Sequence, residues 1–68
     1  MDEVKKYLEE KYGIYTNQSG SKIKINVLYL PDTQKVAKEL EDKFNVITYT
    51  SIGSKRRHTY LYVVEYYA

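Results

Sequence analysis

The chain contains an internal repeat, and a repeat constrains the fold more than any other feature of a sequence. Residues 4–30 align with residues 36–63 once the second copy is allowed one extra residue, Ile52. Both copies contain the tripeptide Gly-Ser-Lys, at 20–22 and 53–55, and both place valine and leucine four residues apart near the start. The repeat therefore predicts two copies of one structural unit within a single domain that spans residues 1–68.

The size and composition of the chain predict a thin core that needs support. A domain of 68 residues gains only about 3–5 kcal/mol from its own core. The chain has no cysteine and one histidine, so disulfides and thiolate metal sites are impossible and we expect neither a metal nor another cofactor. Self-association is the remaining supplement, and we expect a homodimer.

Charge and hydropathy limit the classes of partner. The net charge of +2 permits an acidic partner without requiring one, because strongly basic nucleic-acid-binding domains usually carry a larger excess. The longest apolar runs fall far short of the roughly 20 residues of a membrane span, and the N-terminus begins with acidic residues. We therefore expect a cytoplasmic protein with no membrane contact.

Each copy begins with an amphipathic helix. In residues 2–12, Val4 and Leu8 recur at helical spacing, and Gly13 suits the left-handed residue that ends a helix. The second helix repeats this spacing with Val36 and Leu40, and Asp32 or Thr33 is placed to cap its N-terminus. Asn45 stands where Gly13 stands in the first copy, so we expect the left-handed conformation there too.

Two strands follow each helix. The short strands are predicted at residues 14–17 (β1) and 46–51 (β3), and the long strands at 22–30 (β2) and 57–67 (β4), with alternating apolar and polar side chains. Two αββ units joined by a right-handed β-α-β crossover give the strand order β3-β4-β2-β1, with all neighbours antiparallel. The predicted fold is α+β: a two-layer sandwich with both helices on one face of a four-stranded antiparallel sheet, a circular permutation of the ferredoxin-like sandwich. An intertwined dimer of αββ units is the alternative.

The repeat also predicts which side chains face the helices. If Ile25, Val27 and Tyr29 face them from β2, the alignment places His58, Tyr60 and Tyr62 on the same side. The face away from the helices then carries an apolar patch that marks an interface: Tyr15, Leu28, Leu30, Ile47, Tyr49, Leu61 and Val63. A slip of β4 by one residue exchanges its two faces, and this alternative makes Leu61 and Val63 part of the core and exposes Tyr60, Tyr62 and Tyr66.

Basic residues cluster after each Gly-Ser pair, and the two clusters are predicted at opposite ends of the sheet. They are the candidate contacts for nucleic acid or an acidic partner: Lys22, Lys24, Lys55, Arg56, Arg57 and His58. Basic turns beside exposed aromatic side chains are typical of sheets that stack RNA bases. Solvated hairpin turns are also commonly basic, so this reading competes with a purely structural one.

No catalytic constellation is present in the sequence. His58 has no serine or cysteine nucleophile with an acidic orienting residue, and Gly-Ser-Lys lacks the spacing of a phosphate-binding loop. We expect a non-enzymatic module with no small-molecule substrate that binds a protein partner, acts as a regulator or inhibitor, and self-associates through a sheet face or edge. By analogy, many small viral or mobile-element proteins act in this way on larger nucleic-acid machinery. The alternative is direct nucleic-acid binding through the basic turns and the tyrosines of the sheet.

Overall fold

A computed structural model describes residues 1–53 and 57–66. It is an α+β fold with two helices and a four-stranded antiparallel sheet. The elements are α1 (Asp2–Tyr12), β1 (Asn17–Ser19), β2 (Lys22–Asn26), a 3-10 helix (Val27–Tyr29), α2 (Thr33–Lys43), β3 (Val46–Ile52) and β4 (Thr59–Glu65). The predicted αββαββ order is confirmed, with the 3-10 helix as an addition that the sequence pattern did not indicate.

The helix α1 forms and ends as its sequence predicts. Val4 and Leu8 are buried, and they lie one turn apart on the face that meets the sheet. Gly13 has a φ of 63°, and its backbone N–H donates a hydrogen bond to the Glu9 carbonyl at 2.9 Å. A left-handed residue at this position closes the last turn of the helix, and glycine adopts it without steric cost.

The helix α2 begins as predicted but ends differently. Asp32 is the N-cap, because its Oδ1 accepts a hydrogen bond from the Lys35 backbone N–H at 3.2 Å. The expected left-handed Asn45 is wrong: Arg57 is the only residue other than glycine with a positive φ in the described part of the chain. Asn45 instead joins the end of β4, since its side-chain Nδ2 donates to the Tyr66 carbonyl at 3.3 Å and its own carbonyl accepts from the Tyr66 N–H at 3.1 Å.

The sheet has the order β1-β2-β4-β3, and every neighbouring pair is antiparallel. This is the order that the sequence predicted. The strands β2 and β4 are central, and β1 and β3 are the edges. Lys22 lies opposite Val64 and Asn26 lies opposite Tyr60, so the first residues of β2 and of β4 are at opposite ends of the sheet.

One core lies between the helices and one face of the sheet. The central strands contribute Ile23 paired with Val63 and Ile25 paired with Leu61; all four are at most 1 % exposed. The remaining buried apolar residues come from both helices, the loops and β3: Val4, Leu8, Ile14, Leu30, Val36, Leu40 and Val46. Both helices therefore cover the same face.

The predicted orientation of β4 is wrong. The structure has the alternative register, in which β4 is shifted by one residue and its two faces are exchanged. Leu61 and Val63 were expected on the face away from the helices, but both are buried in the core. Pairing them with Ile25 and Ile23 removes four aliphatic side chains from water on one side of the sheet, and each contributes about 1.5–3 kcal/mol. Burying Tyr60 and Tyr62 instead would also have required partners for two phenol hydroxyls.

The strand β2 is shorter than predicted because Asn26 ends it. The Asn26 Oδ1 accepts a hydrogen bond from the Leu28 N–H at 3.0 Å, and this local bond starts the 3-10 helix. The chain then turns, so Leu30 returns to the core at 9 % exposure, and its predicted place in the exposed apolar patch is wrong. The bounds of two other strands also differ from the prediction. The strand β1 begins at Asn17 instead of residue 14, and β4 is shorter than the predicted range 57–67 and spans Thr59–Glu65.

A polar cluster joins the two helices on their outer side. The Glu39 carboxylate of α2 accepts three hydrogen bonds from α1. The donors are the Tyr7 hydroxyl, Lys11 Nζ at 2.9 Å and the Tyr12 hydroxyl at 3.0 Å. The bonds from Tyr7 and Lys11 lower the pKa of Glu39 to about 2. Bonds to Glu39 and Tyr7 raise the pKa of Lys11, and burial raises that of Tyr12.

The loop between α1 and β1 contains a buried polar atom without a partner. Thr16 is 1 % exposed, and its Oγ1 makes no hydrogen bond to any described residue. A hydroxyl removed from water in this way costs free energy that a methyl group of the same size does not. Thr16 is therefore held in place by its methyl group and its backbone.

We predict that Thr16→Val stabilises the protein by about 1 kcal/mol, because it replaces the unpaired hydroxyl with an isosteric methyl group. Urea unfolding followed by circular dichroism measures the change. Thr16→Ser is the matched control: it keeps the hydroxyl, loses the buried methyl group and should destabilise by about 0.8 kcal/mol. A Val variant less stable than the native protein would show that the hydroxyl is satisfied.

We also predict a loss of stability in acid that depends on Glu39. The pKa of Glu39 in the folded state, about 2, lies below the ordinary value of 4.5, so the unfolded chain binds the proton more readily. The stabilisation is complete above about pH 4.5 and declines as the pH falls towards 2. In urea unfolding at pH 7, 4 and 2.5, Glu39→Gln should flatten this decline, whereas Glu10→Gln, an exposed site on α1 outside the cluster, should preserve it.

Candidate functional site

The candidate site is the sheet face away from the helices, here called the open face. Side chains alternate between the two faces of a strand, so the buried Ile23, Ile25, Leu61 and Val63 assign their neighbours to the opposite side. Residues paired across strands share a face, and the register extends the assignment to both edges. The open face consists of Asn17, Ser19, Lys22, Lys24, Asn26, Ile47, Tyr49, Ser51, Tyr60, Tyr62 and Val64.

Tyrosine rings occupy the middle of the open face. Tyr49 on β3 lies directly opposite Tyr62 on β4, and their rings stack with centroids 5.0 Å apart and planes 16° from parallel. Tyr60 lies two residues earlier on β4, and its ring centroid is 6.4 Å from that of His58. Tyr49 is 43 % exposed, so the stacked pair presents aromatic surface to the solvent.

Two lysines of β2 lie over these rings. Lys22 Nζ is 5.0 Å from the ring centroid of Tyr62 and 5.9 Å from that of Tyr49. Lys24 Nζ is 4.2 Å from the ring centroid of Tyr60. These are cation–π contacts, which at exposed sites contribute about 0.5–1 kcal/mol. The side chains of both lysines extend from β2 over the tyrosines of β4 and bring positive charge to the aromatic surface.

The acidic side chains are segregated from the open face. Eight of the nine acidic residues belong to α1, to α2 or to the Asp32 cap. The ninth, Glu65, ends β4 and lines a cleft with the first residues of α1. None of the eleven residues assigned to the open face is acidic, so the charge of this face is positive.

The predicted basic residues fall into three groups. Lys22 and Lys24 lie on the open face, as described above. Arg57 is exposed with a φ of 54°, and His58 is half-buried with its Nδ1 3.3 Å from the Asn26 Nδ2. Lys55 and Arg56 lie outside the described residues. The structure therefore brings two of the six to the tyrosines and places a third, His58, beside Tyr60.

The predicted interface residues divide between surface and core. Four are exposed: Tyr15 at 84 %, Leu28 at 72 %, Ile47 at 44 % and Tyr49 at 43 %. Ile47 and Tyr49 lie on the open face, whereas Tyr15 belongs to the loop between α1 and β1 and Leu28 to the 3-10 helix. The remaining three are in the core: Leu30, Leu61 and Val63. The continuous apolar patch that the sequence predicted is therefore absent from the described residues.

Tyr60 and Tyr62 were expected from the repeat to face the helices, and only the alternative register of β4 placed them on the open face. The signal was present in β4 itself, because Leu61 and Val63 alternate with the tyrosines, and an aliphatic side chain is the better core residue of the two types. Asn17 was also missed. Tyr29 was expected to face the helices, and this is wrong, because it is 66 % exposed. Tyr29 carried no signal, because its position depends on the 3-10 helix that interrupts the predicted strand.

The described residues contain no metal site, and the cleft at the start of α1 is lined by acidic side chains. Within residues 1–53 and 57–66, no group of three or more histidine, aspartate or glutamate side chains is placed to hold a metal ion. A cleft of about 450 Å³ lies on the helix side, and its lining includes three acidic residues, Asp2, Glu3 and Glu65. That lining is unsuited to an anion.

No helix in the described part of the chain has the length and apolar character needed to cross a membrane. The chain matches no protein-family model, and no curated protein or solved structure is significantly similar to it.

Proposed function

We propose that this protein is a non-enzymatic module that binds single-stranded nucleic acid on the open face. Unpaired bases stack on Tyr49, Tyr60 and Tyr62, and Lys22 and Lys24 contact the phosphates. The observation that carries the proposal is the composition of this face: a stacked tyrosine pair and two lysines with no acidic side chain among the open-face residues. Aromatic stacking combined with a positive surface is how single strands are bound without sequence preference.

Binding must displace the lysines from the rings, and the magnitudes favour this exchange. The cation–π contacts contribute about 0.5–1 kcal/mol each, whereas stacking of a base on an aromatic side chain contributes about 1–3 kcal/mol. A displaced lysine exchanges its contact with the ring for an ion pair, because its long side chain can reach a phosphate beside the stacked base. The resting contacts therefore hold the lysines close to where the backbone of the ligand would run.

A single strand fits this face better than a duplex. The stacked rings of Tyr49 and Tyr62 cover one face of each other, and only an unpaired, splayed base can stack on a ring face that remains uncovered. Arg57 is exposed and directly precedes His58, whose ring lies beside that of Tyr60, so it offers a further phosphate contact at the Tyr60 end of the open face. Lys55 and Arg56 lie outside the described residues and support the proposal only through the charge that they add to the sequence before Arg57.

We predict that Tyr62→Ala weakens binding to a labelled single strand of about ten nucleotides. The expected loss is between about fivefold and 150-fold, because one stacked base contributes about 1–3 kcal/mol. Fluorescence anisotropy measures the affinity. Tyr62→Phe is the matched control, since it keeps the ring and should bind within about twofold of the native protein. Equal losses in both variants would show that the hydroxyl matters rather than stacking.

A salt series tests the same proposal through its charges. The logarithm of the binding constant should fall linearly with the logarithm of salt concentration, with a slope of about −0.7 for each phosphate contacted in a single strand. Lys22→Gln with Lys24→Gln should reduce that slope, whereas Lys38→Gln, an exposed site on α2, should leave it unchanged. Absence of binding at low salt, or binding insensitive to salt, would contradict the proposal.

A second candidate function is self-association through the edge strand β3. Its seven residues, Val46–Ile52, contain no charged side chain and no proline, although natural edge strands usually carry such residues against pairing with another chain. The Thr48 N–H points away from β4 and donates to the Glu41 carboxylate at 3.2 Å. Thr50 shares that direction because alternate residues of a strand point the same way. Antiparallel pairing of two β3 strands would give a protein-binding homodimer and supplement the thin core.

For this second candidate we predict a dimer that Thr50→Pro converts to a monomer. Proline removes an outward-pointing N–H that a partner strand needs, but it spares the hydrogen bonds between β3 and β4. Thr50→Val keeps the N–H and should remain dimeric. Sedimentation over a range of protein concentrations measures the association. A native protein that stays monomeric at every concentration would exclude this candidate and would leave the nucleic-acid proposal standing.

We further propose that the fold arose by duplication of an αββ unit and is a circular permutation of the ferredoxin-like sandwich. Support comes from the strand order β1-β2-β4-β3 and from the equal lengths of the helices, eleven residues each. The copies differ most in their first strands, which have three residues in β1 and seven in β3.

A further inference from the structure

A cleft of about 340 Å³ lies at the β1 side of the open face. It adjoins the central tyrosines, because Lys24 and Tyr60 belong both to its lining and to the open face. The full lining is Tyr15, Asn17, Lys24, Asn26, Tyr29 and Tyr60. Its volume is near the lower end of the range for small-ligand sites, roughly 300–1,000 Å³, which suits a single base with part of its sugar.

The outer walls of the cleft are two tyrosines that project into solvent. Tyr15 is 84 % exposed and Tyr29 is 66 % exposed, although rings of this size gain free energy when they are covered. Both also line a neighbouring depression beside Gly13 and Ile14. Tyr15 comes from the loop before β1, and Tyr29 is the last residue of the 3-10 helix that follows β2. Two exposed rings at one cleft offer a planar ligand two stacking surfaces.

The cleft contains one amide that is engaged within the fold and one that is not. The Asn26 Oδ1 accepts the Leu28 N–H, and its Nδ2 lies 3.3 Å from His58 Nδ1. Asn17 is exposed on β1, and its side chain makes no hydrogen bond to any residue of the described chain. Its amide therefore offers a donor and an acceptor, side by side in one plane, to a ligand in the cleft.

We infer that this cleft holds one unpaired nucleobase of the bound strand, and that the Asn17 amide reads the edge of that base. The inference rests on the proposed function and deepens it, because it adds a position where base identity matters to a face that otherwise stacks any base. The base stacks against Tyr15 and Tyr29, and its edge pairs with the Asn17 donor and acceptor. Lys24, with its Nζ over Tyr60, reaches the adjoining phosphate.

The test is the ranking of single strands that differ only in base. Affinities of the native protein for oligo(dA), oligo(dC) and oligo(dT) of equal length are measured by fluorescence anisotropy. We expect the best-bound and the weakest-bound strands to differ by at least about fivefold, the lower end for one bidentate contact between an amide and a base. Asn17→Ala should collapse that ratio to within about twofold by weakening only the better-bound strands.

Gln34→Ala is the matched control, because it removes an exposed side-chain amide on α2, away from the open face and outside the cleft lining; it should preserve the ranking. A native protein that binds all three strands equally, or an Asn17→Ala variant with an unchanged ratio, would overturn the inference and leave the proposed function intact. Failure to bind any strand would instead overturn the proposed function.

A spectroscopic readout separates the cleft from the tyrosines at the centre of the sheet. In ¹⁵N-labelled protein titrated with the best-bound strand, the side-chain amide resonances of Asn17 should shift, and base protons should show contacts to the rings of Tyr15 and Tyr29. Shifts confined to the surroundings of Tyr49 and Tyr62 would place the whole strand on the central tyrosines and overturn the inference.

Discussion

The pairing of β2 with β4 is the constraint on which the rest of the structure depends. Ile23 opposite Val63 and Ile25 opposite Leu61 put four aliphatic side chains under the two helices, and burial of each contributes about 1.5–3 kcal/mol. Because side chains alternate along a strand, the same register necessarily sends the lysines of β2 and the tyrosines of β4 to the other face. The composition of the open face is thus a direct consequence of how the core is built.

The helices and the strand order could be predicted from the sequence because their signals are local and agree with each other. Spaced aliphatic residues, Gly13 and Asp32 mark the helix bounds. The crossover from β2 to β3 leaves one strand's width between them, and the long strand β4 fills it. The face of β4 could not be predicted from the repeat. An alternating pattern is compatible with either face of the strand turned towards the helices. Tyrosine does not decide between them, because its apolar ring and polar hydroxyl suit both sides of a thin sandwich. The end of β2 depends on one side-chain hydrogen bond of Asn26, which an alternating pattern conceals, so the cleft beside Tyr29 was hidden as well.

The separation of charge follows from the same two-layer arrangement. The helical layer contains most of the carboxylates, and Glu39 is held there by two tyrosines and Lys11. Among the described residues, the sheet layer contains Lys22 and Lys24, Arg57 shortly precedes β4, and Glu65 is the one acidic residue of that layer. The two sides of this small domain therefore differ in sign, and an anionic chain is attracted to the side that presents the rings.

The tyrosines of the open face call for an explanation beyond solubility. A two-layer sandwich of 68 residues covers one face of its sheet only, and threonine, lysine or glutamate would serve on the other face at less cost in exposed apolar surface. The chain instead has nine tyrosines and one phenylalanine, and several of them line the uncovered face and its adjoining cleft. Tyrosine keeps its hydroxyl in water while its ring stays available. Rings that remain exposed beside lysines, with no acidic residue among the open-face residues, are the features that support the proposed binding of an anionic chain with planar bases.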